Sequence, residues 1–72
     1  MTADEMILKY FDFYVDEYLS NDAFIYYVDE DNETTLILNL KWKSMTFEHA
    51  QDIDANKLKA LNAKFEELGW NE

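Results

Sequence analysis

Leu36, Leu38, Leu40 and Trp42 alternate with Thr35, Ile37, Asn39, Lys41 and Lys43. This period of two restricts the fold more than any other feature, because only a half-buried β-strand sends every second side chain to one face. A strand needs a partner. The nearest is Phe24–Val28, a run of aromatic and β-branched residues suited to a pleated surface. The polar stretch Asp29, Glu30, Asp31, Asn32 and Glu33 turns the chain between them. The spacing predicts a hairpin with Trp42 facing the core and Lys41 and Lys43 facing water.

Helical signals flank this hairpin. Thr2 followed by Glu5 is a capping-box pair, and the periodicity after it predicts a helix to about Leu19, with Ile7, Tyr10, Phe11, Tyr14, Val15 and Tyr18 on its apolar face. Ser20, Asn21 and Asp22 favour a turn. A second helix is expected from an N-cap at Asp52 or Asp54 to Leu68, with Leu58, Leu61, Phe65 and Leu68 as its stripe. Gly69 is placed for a left-handed C-cap, with Trp70 folding back on the last turn. Residues 45–50 are expected to add a third strand. The fold class is therefore α+β in the order α-β-β-(β)-α, a small antiparallel sheet of two or three strands with both helices on one face.

At 72 residues the chain holds one domain, and without cysteine it has neither disulfides nor thiolate metal ligands, so packing must stabilise it. Sixteen acids against six lysines give a net charge of -10. That balance argues against direct binding to nucleic acid or anionic membrane, both of which reward cationic surfaces. Residues 1 to 33 carry ten of the acids and only Lys9. The N-terminus shows neither a basic region nor a long apolar run, so a cytoplasmic protein is expected.

Catalytic chemistry has little to stand on. His49 is the single histidine and nothing near it in sequence completes a catalytic set, so the chain is not expected to be an enzyme and no cofactor is implied. Asp29-x-Asp31-x-Glu33 and Asp52-x-Asp54-x-Asn56 begin like calcium loops. Their sixth positions are Thr34 and Lys57 instead of glycine, and their twelfth are Leu40 and Ala63 instead of glutamate, so turns and a helix cap explain them better.

The candidate site is a partner-binding surface. On a helix reaching Leu19, Glu5, Asp12 and Asp16 share a face, and carboxylates one turn apart lie about 6 Å from each other, the scale of successive phosphates on a nucleic-acid strand. Such a row costs a helix a little stability, which invites a functional reading. Phe13 and Met6 fall outside the apolar arc, with Phe13 beside Glu17, and both sides of Phe24–Val28 are apolar. Exposed aromatics among carboxylates suit a basic partner. The expected partner-binding residues are Glu5, Asp12, Phe13, Asp16, Glu17, Asp29, Glu30, Asp31 and Glu33.

In size, charge and element order the chain is similar to the small acidic inhibitors of phages and mobile elements, including DNA mimics and anti-CRISPR proteins. The resemblance implies a decoy that occupies the nucleic-acid-binding surface of a larger basic protein. The alternative is an acidic adaptor or antitoxin-like subunit, monomeric or homodimeric, whose apolar residues dominate affinity.

Overall fold

The computed structural model describes residues 1–29, 34–49 and 52–70. The order is α1 (Ala3–Phe11), β1 (Tyr14–Val15), β2 (Phe24–Val28), β3 (Thr35–Asn39), β4 (Ser44–Phe47) and α2 (Ala55–Glu67). The strands form one antiparallel sheet in the order β1-β2-β3-β4. The α+β class stands, and the sheet has four strands where two or three were expected.

The hairpin pairs Phe24 with Asn39 and Val28 with Thr35, which aligns Ile25 with Leu38 and Tyr27 with Leu36. These four point to the helices. Their face joins Ile7 and Phe11 of α1 and Ala60 and Leu61 of α2 in one core, with Phe65, Leu68 and Trp70 packed at its margin. Phe24 and Tyr26 take the opposite face, away from both helices, with their ring centroids 6.2 Å apart. The two apolar sides of this strand therefore have different fates. One makes the core, and on the other Phe24 and Tyr26 stay half-buried while Val28 is buried.

The first helix ends eight residues before the expected Leu19. Its start is as read: Glu5 N–H donates to Thr2 Oγ1 and Thr2 N–H donates to Glu5 Oε1, both at 3.1 Å. Its end is at Asp12, which adopts left-handed backbone (φ 62°) while its N–H donates to the Leu8 carbonyl. Continuing the helix would keep Phe13 toward solvent. Stopping at Phe11 turns Phe13 into the core, 2% exposed and stacked on Phe11 at 5.1 Å. Burial of a side chain that size stabilises by roughly 1.5–3 kcal/mol, more than the last helical turns offer. Met6, also expected outside the apolar arc, packs partly buried against the core. The left-handed backbone at Asp12 makes a first prediction. Asp12→Gly should leave the urea midpoint unchanged or raise it, whereas Asp12→Val should cost about 1–2 kcal/mol of unfolding free energy, because only glycine adopts that backbone freely.

Trp42 is the second departure. The alternation stops at Asn39, whose Oδ1 accepts from the N–H groups of Lys41 (3.1 Å) and Trp42 (3.0 Å), and Lys43 is left-handed at φ 54°. These bonds close a tight turn into β4. Trp42 is consequently 72% exposed, with Lys41 Nζ 5.4 Å from its ring centroid. Lys41 and Lys43 are exposed as expected. The third strand expected at residues 45–50 is β4, and its Phe47 stacks on Phe11 at 6.0 Å.

The closing helix follows its signals closely. Asp54, not Asp52, is the N-cap and accepts from Lys57 N–H at 2.9 Å. Past the C-terminus Gly69 is left-handed at φ 77°, its N–H donates to Glu66 O, and Trp70 N–H donates to Phe65 O. Both bonds of the C-capping motif are present, and the Trp70 and Phe65 rings meet at 5.1 Å. Leu58 departs from the expected stripe, lying exposed near the start of α2. Among the described residues no helix is long and apolar enough to cross a membrane.

Candidate protein-binding edge

The segment from Asp12 to Asp22 forms the outer edge of the sheet and the loop that follows it. Its backbone is tied at several points. Asp16 N–H donates to the Tyr26 carbonyl at 2.8 Å, and Asp16 Oδ1 accepts from the N–H groups of Tyr18 (3.0 Å) and Leu19 (3.1 Å). Ser20 Oγ accepts from Tyr26 N–H at 2.9 Å, and Asn21 Oδ1 accepts from Ala23 N–H at 2.8 Å and Phe24 N–H at 3.0 Å. Short polar side chains thus replace ladder bonds where the strand ends. The loop is held in shape while its large side chains turn outward.

Tyr18 is 98% exposed, and Tyr14 and Leu19 are each about half exposed. Around them Asp12, Glu17 and Asp22 are exposed and Asp16 is partly so, while the sequence holds no lysine between Lys9 and Lys41. The edge thus combines apolar anchors with charge of one sign.

The expected site residues are distributed differently from their expected places. Glu5, Asp12 and Glu17 are on the surface. Phe13 is a core residue and is not an exposed anchor on the surface. Asp12 and Asp16 do not form a carboxylate row on one helix face, since the first terminates the helix and the second caps a turn. Asp29 is half-buried after β2. Glu30, Asp31 and Glu33 lie outside the described residues. The exposed apolar anchors are Tyr14, Tyr18 and Leu19, which a helical reading assigned to the core or left unassigned. The signal that finds them is the triplet Phe13-Tyr14-Val15, which reads as a short strand of aromatic and β-branched residues once Asp12 is taken as a helix stop.

Beside this edge an apolar groove of about 230 Å³ opens between α1 and β1. Phe13, Val15 and Tyr27 line it with Leu8, and Asp4 and Glu5 contribute its polar part. The Tyr27 hydroxyl donates to Asp4 Oδ1 at 2.6 Å, and the Lys64 ammonium sits 3.2 Å from the same oxygen and 2.5 Å from Glu67 Oε2. Burial and then the hydrogen bond to Asp4 push the Tyr27 hydroxyl far above its ordinary value of 10.0. For Lys64, 6% exposed, burial works to lower the pKa, but the hydrogen bonds to Glu67 and Asp4 and their charges together outweigh it and hold the ammonium above 10.5. Glu5 titrates below its ordinary 4.5, chiefly through its hydrogen bond with the Thr2 backbone.

His49 is exposed, and among the described residues no three histidine or carboxylate side chains converge as metal donors. Neither protein-family models, nor curated proteins, nor solved structures match this chain. The functional reading therefore rests on the edge itself.

Proposed function

We propose that the chain is a small acidic inhibitor that docks through the edge 12–22 onto a larger basic protein and occupies that protein's nucleic-acid-binding surface. The observation carrying this reading is Tyr18, almost wholly exposed on a turn locked by Asp16 and flanked in sequence by Asp16, Glu17 and Asp22 with no lysine between Lys9 and Lys41. A rigid aromatic anchor that loses little entropy on binding is the kind of residue that dominates an interface. The charge of -10 supplies steering toward a cationic groove built for phosphates.

One observation favours the adaptor or antitoxin-like alternative. The Asp16 carboxylate is engaged as a turn cap and Asp12 sits past the end of α1, which breaks up a phosphate-like row and gives the apolar residues more of the affinity. The two readings separate experimentally. The tagged protein is used to capture partners from a lysate of its source cells at low and high salt, with and without added DNA or RNA. A basic nucleic-acid enzyme released by salt and displaced by nucleic acid supports the inhibitor. A partner indifferent to both supports the adaptor. With the captured partner, Tyr18→Ala combined with Leu19→Ala should weaken binding about 30-fold or more. Glu17→Lys with Asp22→Lys should mainly slow association and reduce its salt dependence. Unchanged affinity in the first variant moves the interface away from this edge.

A further inference from the structure

We propose that the groove between α1 and β1 receives an arginine side chain of the partner, an inference that rests on the edge being the docking surface. The groove adjoins that edge through Tyr14 and Val15. At about 230 Å³ it is smaller than the roughly 300–1,000 Å³ of sites that take whole small-molecule ligands. One long side chain is the better match. Its walls are apolar and its polar groups are the carboxylates of α1, so the occupant is an aliphatic stem ending in a cation.

The carboxylate at this site has capacity to spare. Both recorded partners of Asp4, the Tyr27 hydroxyl and the Lys64 ammonium, meet Oδ1. Oδ2 takes part in neither contact, the Asp4 side chain is half exposed, and an ionised carboxylate accepts about four hydrogen bonds. A guanidinium meets that oxygen as a planar donor and stacks on the aromatic lining, which a lysine ammonium does less well. Lys64 and the Tyr27 hydroxyl, both on Oδ1, hold the Asp4 side chain in place. The arrangement is a preformed clamp for a cation.

The test is an amide-resolved NMR titration of the full chain with the peptide acetyl-Ala-Arg-Ala-amide, using the same peptide with citrulline as a neutral control of equal shape. Saturating shifts at Leu8, Val15 and Tyr27, with arginine bound about fivefold more tightly than citrulline, are expected. Leu8→Lys places a cation beside the groove at an exposed position, so it should abolish these shifts without changing the melting temperature. Equal binding of the two peptides, or shifts confined to residues 16–22, overturns the groove assignment. The edge reading fails separately, when capture of a full-length partner ignores Tyr18 and Leu19.

Discussion

Phe13→Ala is expected to lower the unfolding free energy by about 3–5 kcal/mol, the range for removing a large aromatic side chain from a packed core. Phe13 is 2% exposed and stacks on Phe11, which in turn meets Phe47 of β4 and lies under Lys57 Nζ at 5.5 Å. Its loss opens a cavity where α1, the sheet and α2 meet. A domain of 72 residues holds roughly 4–11 kcal/mol in total, so the variant should be close to unfolded at 25 °C. Urea unfolding followed by tryptophan fluorescence measures this directly. Tyr18→Ala, five residues on, should change stability by no more than about 0.5 kcal/mol. Equal effects from the two variants would contradict the early end of α1.

Alkaline solution should unfold the protein through Tyr27 and Lys64. Both groups have folded pKa values above their ordinary 10.0 and 10.5. Below about pH 10 the folded and unfolded chains hold these protons equally, and the contribution of the network is fully present. Above it the unfolded chain releases its protons first, so stability falls as pH rises, by up to about 1.4 kcal/mol per pH unit for each proton. Solvent around the half-exposed Asp4 and Glu67 moderates the Lys64 part. Tyr27→Phe should cost about 1–2 kcal/mol at neutral pH, through loss of the bond to Asp4, and should flatten the decline above pH 10. Melting temperatures from pH 8 to 11 test both statements. A decline of the same steepness in Tyr27→Phe would remove Tyr27 from the account.

The candidate site was less legible than the fold. Its acids are visible as a run without lysine, but which apolar residues accompany them depends on where α1 stops. Read as one helix, residues 3–19 bury Tyr18 and expose Phe13. The structure exchanges these two. Asp12 carries the decision, since its side chain suits a helix interior poorly and a cap well, yet the periodicity around it satisfies a helix equally. The groove, and the meeting of Asp4, Tyr27, Lys64 and Glu67 across three elements, have no sequence signature at all.

Local chemistry alone determined the capping box at Thr2 and Glu5, the Phe24–Val28 hairpin and the glycine stop at Gly69, and it narrowed the second N-cap to Asp52 or Asp54, because each is set by residues within one turn or by a strict alternation. Tertiary structure decided the end of α1, the fourth strand and the faces shown by Phe13 and Tyr18. In each of those places two local conformations lie within about a kcal/mol per residue of each other. Burial of a single aromatic ring against distant elements is worth more than that difference, and it selects the conformation.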